Sequence, residues 1–210
     1  MYSPPFNRVD DEHEIRALVR AWGTAELVTV DPDGRPVATL LPIIWHGDTV
    51  IAHLAKANPH WRGITAGAPA LLICGGSQAY VSPSWYATKA EHGKVVPTWN
   101  YSAVHLSGTA IVHHDPDWLR TAVTRLTEQH ETGRSDPWSV TDAPEPFVAG
   151  QLRGIVGVEI HVEKIEAKAK LSQNRSAADR EGVVRGLEAS TGPVDASVGQ
   201  LMRAALHRDI

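Results

Sequence analysis

A single cysteine, Cys74, stands among 210 residues, which excludes a disulfide framework and any zinc site built from thiolates. No apolar run approaches the ~20 residues that a membrane-spanning helix needs. The start, Met1-Tyr2-Ser3-Pro4-Pro5, has neither a basic flank nor an apolar stretch, so a cytoplasmic chain without membrane attachment is expected. Positive charge is not in excess either. The formal net charge is −4, and neither a helix-turn-helix pattern nor an arginine stripe is visible, so direct DNA binding is not expected. The G-x-S-x-G elbow, the P-loop, a G-x-G-x-x-G after a strand and H-E-x-x-H are all absent. The side chains therefore offer no nucleophile beside a base at motif spacing, and redox or lyase chemistry here calls for a cofactor. Phenylalanine is scarce as well: 2 Phe stand against 7 Trp, and all the Trp lie at or before Trp138, which marks the first two thirds of the chain for closer reading.

What is present reads as one domain over 1–210, mainly β with peripheral helices, an α+β chain with a helical C-terminal extension from about 176. Ile15, Leu18, Val19 and Trp22 repeat at helical spacing behind the acidic start at Asp10-Asp11-Glu12. From Ala25 the period changes to that of strands. Residues 26–30 and 37–41 flank the turn Asp31-Pro32-Asp33-Gly34-Arg35-Pro36, and 43–45 and 49–53 flank His46-Gly47-Asp48. A run over 70–74 ends at the turn signal Gly75-Gly76, and strands follow over 78–81 and 100–112. This spacing predicts an antiparallel barrel or sandwich and not a parallel βαβ sheet. Asp115-Pro116 predicts a helix through about His130, 131–146 reads as a surface connection, and 155–162 alternates as a strand. Ser176 and Asp179 resemble a capping box, and Val194, Val198, Leu201 and Met202 mark a last helix.

Three segments combine aromatic, polar and turn residues beyond what packing requires. In His53-Leu54-Ala55-Lys56-Ala57-Asn58-Pro59-His60-Trp61-Arg62, cations surround a strand-to-turn transition, which suits a phosphate or carboxylate. Tyr80-Val81-Ser82-Pro83-Ser84-Trp85-Tyr86 and Val96-Pro97-Thr98-Trp99-Asn100-Tyr101 set flat aromatic walls beside hydroxyl and amide groups, a combination that suits a planar ligand. Between these two, 89–94 reads as a mobile loop. His113-His114-Asp115 has metal-ligating side chains, but adjacent residues on a strand point to opposite faces, so a surface pair is expected.

Taken with Gly154-Ile155-Val156-Gly157 and Lys170-Leu171-Ser172-Gln173-Asn174-Arg175, these strings closely resemble the PaiB family over almost the full length. The resemblance implies a split β-barrel related to pyridoxamine-phosphate oxidases and a homodimer holding a flat cofactor, FMN, between subunits. Members of the family are usually described as FMN-binding negative transcriptional regulators. It places Lys56 near a cofactor phosphate or propionate, with Asn58 and Thr98 as hydrogen-bonding neighbours. Trp85, Tyr86, Trp99 and Tyr101 would line the pocket, and Ser82 and Trp61 would border it.

One position departs from a common family form, because His60 stands where Gln is frequent. An imidazole there can ligate haem iron. A small offshoot of the family, the piperazate synthases, carries haem b and closes N5-hydroxyornithine into a ring with an N–N bond. The expectation is therefore haem b with His60 as axial ligand and His53 as fallback, FMN being the alternative. Lys94, His92 or Tyr101 would supply the proton to the leaving hydroxide. Arg62 or Arg175 would hold the carboxylate of a small amino-acid-like substrate.

Overall fold

The structure, a computed structural model, describes residues 1–208. Seven strands form one sheet in the order β2-β1-β5-β6-β7-β4-β3. They are β1 (Thr24–Val30), β2 (Pro36–Pro42), β3 (Ile44–His46), β4 (Thr49–Ala55), β5 (Ala68–Val81), β6 (Thr98–His113) and β7 (Ile155–Lys170). The helices are α1 (Glu12–Trp22), α2 (Thr88–His92), α3 (Pro116–Glu131), α4 (Glu145–Leu152), α5 (Ala177–Glu188) and α6 (Asp195–Arg208). β1 pairs antiparallel with β2 from Thr24 opposite Pro42 to Val30 opposite Pro36, as the hairpin turn predicts. β4 pairs antiparallel with β7, with His53 opposite Gly157, and β2 approaches β4. A sheet whose outlying strands meet curls toward closure, which is how an antiparallel architecture removes its exposed edges.

The chain forms two compact units. One comprises residues 16–74 and 105–165 and carries α3 and α4; the other comprises 1–15, 75–104 and 166–210 and carries α2, α5 and α6. In the α3–α4 unit, alternating strand residues bury Leu27, Val50, Leu54, Leu72, Leu106, Val156 and Ile160. Asp115 caps α3, its carboxylate accepting from the Trp118 N–H at 2.8 Å. Trp118 lies flat between two neighbours: its ring stacks on His113 at 4.1 Å, and a Cβ on Gly157 would come within 2.0 Å of it. In the other unit, Val183, Val184 and Leu187 of α5 and Val198 and Met202 of α6 pack with Val81, Tyr86 and Leu171. Each such side chain contributes about 1.5–3 kcal/mol of burial, so the last two helices form part of a core.

Three local expectations change. Gly75-Gly76 does not end a strand but lies inside the 14-residue β5, and neither glycine has a positive φ. The connection over 131–146 contains a 3-10 turn at Val140–Asp142 and the start of α4. Its proline, at the second helical position, opens the helix where an amide donor is not needed. The loop over 89–94 holds α2, closed by Gly93 in the left-handed conformation at φ 66°.

Candidate functional site

The segment after β4 is built around a turn. Asn58 caps the 3-10 helix Pro59–Gly63, its side-chain oxygen accepting from the His60 N–H at 3.0 Å. This directs the His60 ring inward, where Nε2 meets Thr29 Oγ1 at 2.9 Å and Nδ1 meets Thr39 Oγ1 at 2.8 Å. Asn58 Nδ2 also donates to Thr39 Oγ1 at 3.3 Å. His60 is 5% exposed, and it ties the segment after β4 to the β1–β2 hairpin. An axial ligand needs a ring nitrogen with a free lone pair directed at the metal. Both nitrogens of His60 are engaged by hydroxyls, so in this arrangement the ring clasps the strands together and presents no free lone pair to the iron it was expected to ligate. Burial lowers its pKa below the ordinary value and keeps it neutral near pH 7.

His53 has the opposite environment. It faces a cavity of about 250 Å³ walled by Val123 of α3, Trp138, Val140, and Phe147 and Leu152 of α4. Its Nδ1 is buried with no hydrogen-bond partner, and burial lowers its pKa. Of the two imidazoles, this is the one with a nitrogen that has no hydrogen-bond partner, which is the donor chemistry that a metal-bearing group would need.

Leu152 and Ile155 also border a second cavity, of about 450 Å³, lined by Lys56, His114, Arg120, Glu145 and Arg153. Arg120 is paired with Glu145. Lys56 and Arg153 have no carboxylate partner among the described residues. The Trp61 Nε1–H donates to the Lys56 carbonyl at 3.0 Å, and its ring meets His114 edge-on at 5.3 Å. Exposed Arg62 stacks over Trp61 at 5.4 Å. Unpaired cations lining a cavity fit an anionic group such as a phosphate.

The other expected residues gather in the second unit. Ser82 caps the turn Pro83–Trp85 by accepting from the Ser84 N–H. Trp85 packs on α5, where a Cβ on Gly186 would lie 2.3 Å from its ring. Arg175 sits over the Tyr86 ring at 4.7 Å; burial raises the Tyr86 pKa, and the guanidinium partly offsets this. Asn100 and Ser172 bond each other through both amide atoms, at 3.0 and 3.1 Å, and the pair holds Ser172 at φ 65°. Lys170 Nζ donates to Thr98 Oγ1 and, at 2.7 Å, to the Trp99 carbonyl. Trp99 is half exposed and meets Tyr80 edge-on. Tyr101 lies under Lys168. His92 and Lys94 are exposed on α2 and the turn after it, where the Lys94 N–H donates to His92 Nδ1 at 3.0 Å. Among the described residues neither of them hydrogen-bonds to Tyr101, the other expected proton donor.

Sequence reading missed Thr29 and Thr39, whose hydroxyls look like ordinary strand residues, and Lys168, which has no motif around it. It also missed the role of Asp179. That carboxylate accepts from the Thr88 N–H at 3.0 Å and from the Thr88 hydroxyl at 2.9 Å while the Ser176 hydroxyl caps α5. Burial alone raises the Asp179 pKa, but the donors from Thr88 and Ser176, with Arg175, bring it below the ordinary value.

A family profile described as "Putative FMN-binding domain" matches residues 1–164. The chain is 34% identical over 214 residues to "Protease synthase and sporulation protein PAI 2" of Bacillus subtilis (strain 168), covering 100% of both chains. The chain belongs to the PaiB-like FMN-binding family. Among solved structures it is similar to the FAD and heme binding protein from Mycobacterium smegmatis, with TM-score 0.62 and 18% identity over 83% of this chain and 78% of that one. It is also similar to the conserved hypothetical protein Rv2991 from Mycobacterium tuberculosis, with TM-score 0.60 and 16% identity over 84% and 94%. At these identities the structures support the split-barrel fold alone. FMN is the cofactor that the family supports.

Proposed function

We propose that this member of the family binds FMN and carries out redox chemistry on a small molecule, with Lys56 and Arg153 holding the flavin phosphate. The observation that carries this reading is the 450 Å³ cavity in which these two cations lack carboxylate partners. Bound flavin supplies reversible hydride transfer. Lys56 and Arg153 would neutralise the phosphate, and Trp61, bonded to the Lys56 carbonyl and packed edge-on against His114, would steady that side of the cavity. In a flavin titration followed by fluorescence quenching, Lys56→Met and Arg153→Met are expected to weaken binding at least tenfold. Unchanged affinity in both variants overturns the assignment.

A second reading keeps haem b, with chemistry like that of the piperazate synthases on an N-hydroxylated, small amino-acid-like substrate. Its support is the unpartnered Nδ1 of His53. A Soret band that is lost in His53→Ala and kept in folded His60→Ala supports this reading, and a flavin spectrum alone removes it. A homodimer in the cytoplasm is part of both proposals, and light scattering is expected to give twice 22.8 kDa. Among the described residues no helix is long and apolar enough to cross a membrane. Direct operator binding is not proposed, because the net charge of −4 opposes it. A gel shift with the upstream DNA at physiological salt would reverse that view.

A further inference from the structure

Two lysines in the α5–α6 unit, Lys168 buried and Lys170 half-buried, have no carboxylate partner among the described residues. Lys168 is 7% exposed, yet its Nζ makes one hydrogen bond, to the Tyr2 carbonyl at 3.1 Å. Its other neighbours are two aromatic faces, the Tyr101 ring at 5.2 Å and the Tyr2 ring at 5.8 Å. Lys170, two residues along β7, donates only to neutral oxygens, the Thr98 hydroxyl and the Trp99 carbonyl. No carboxylate lies within ion-pair distance of either ammonium among the described residues. The hydroxyl next to Tyr2, Ser3 Oγ, is buried with no partner.

Buried charges are normally paired, and like charges close together cost more still. An ammonium carries three donors, so Lys168 has two left over after Tyr2. The rings of Tyr2 and Tyr101 offset part of the burial cost by cation–π attraction and leave the net positive charge in place. Burial and the neighbouring Lys168 both lower the Lys170 pKa, while Tyr101 opposes them. An anion between the two ammonium groups removes the repulsion and uses the spare donors.

We propose that Lys168, Lys170 and Tyr101 form a binding site for a compact oxyanion, the carboxylate of a small organic acid or a phosphate, with the tyrosine rings as its walls. The site is independent of the flavin reading, since it shares no residue with the Lys56 cavity.

The test is calorimetric titration of the full-length protein with inorganic phosphate and, separately, with benzoate, together with thermal unfolding in each. Saturable binding of either probe is expected, weakened at least tenfold in Lys168→Met and in Lys170→Met and unchanged in Arg35→Met, an exposed cation on the β1–β2 turn. Whichever probe saturates assigns the oxyanion class. Without a probe, Lys168→Met is expected to melt no lower than the wild type, because an apolar isostere removes an uncompensated charge. The probe should raise the melting temperature of the wild type and not that of the variant. Failure of both probes to bind, or binding equally tight in the two lysine variants, overturns the proposal. If a methionine variant does not fold, Lys170→Arg, which keeps the charge, is expected to bind, and its failure to do so counts against the site.

Discussion

The unit that carries α3 and α4 borders cavities with charged and polar side chains, whereas the unit that carries α5 and α6 bonds most of its polar side chains to one another. In the second unit, three strings that stand out in the sequence interlock: Asn100 with Ser172, Lys170 with Thr98, and Arg175 with Tyr86. In the first, a single string divides. His60 is sealed by two threonine hydroxyls, while His53 and Lys56 line open space. The difference teaches that a recognisable string does not mark a reactive one. Much of its recognisability comes from buried hydrogen bonds that specify the fold, and reactivity is left to the groups that the fold does not satisfy.

The strongest way to break this comparison is His60→Ala. The substitution removes two hydrogen bonds, leaves the Thr29 hydroxyl buried without its partner, and opens a void between β1, β2 and the turn after β4. Costs of about 1–3 kcal/mol for each unsatisfied buried group make a loss of about 3 kcal/mol the expected result, measured by denaturant unfolding. If stability is kept and a bound chromophore is lost instead, His60 is a ligand and the division within its string is wrong.

The fold was largely legible before the structure because its signals are local. The Pro-Asp-Gly turn, the Asp115-Pro116 cap and the helical spacing of Ile15 to Trp22 each act within a few residues, and β1–β2, α3 and α1 lie within a residue or two of where they are predicted. Gly75-Gly76 misled because pairing with neighbouring strands overrode a turn signal that fits a chain end equally well. The site was less legible. What decides the roles of His60 and His53 is whether a hydroxyl 21 to 31 residues away meets the ring, and Thr29 and Thr39 carry no mark of it. Lys168 likewise became conspicuous only through a partner that it lacks.

The next effect in size contrasts the two units by acid. Burial holds both His53 and His60 below the ordinary 6.5, so the folded protein resists protons that the unfolded chain accepts. Their contribution to stability is complete above about pH 6.5 and is lost progressively as pH falls through that value toward the lowered folded pKa. Asp179 in the other unit is held below the ordinary 3.8, so its contribution persists until pH falls below that value. Hydrogen exchange followed on acidification is expected to show loosening around His60 as pH falls below about 6.5, with the Thr88–Asp179 contact still protected. Asp179→Ala, which strands the Thr88 donors, is expected to cost about 2 kcal/mol at pH 7 and to abolish the low-pH step. Simultaneous loosening of both regions would remove the contrast.

The smallest expected effect falls on His53, and it separates the two histidines most directly. Leucine is close to imidazole in size and leaves no polar atom in the cavity walled by Val123, Val140 and Leu152. Because Nδ1 already lacks a partner, His53→Leu removes a desolvation cost along with whatever the ring contributes to packing. Unfolding stability at pH 7 should move by less than about 1 kcal/mol, in either direction, against the ~3 kcal/mol of His60→Ala. The variant should also flatten part of the stability loss below pH 6.5, since one of the two groups that resist protonation is gone. A penalty as large as that of His60 would mean that the His53 ring has a partner in solution. In that case the cavity is occupied in the purified protein, and its contents become the first thing to extract and identify.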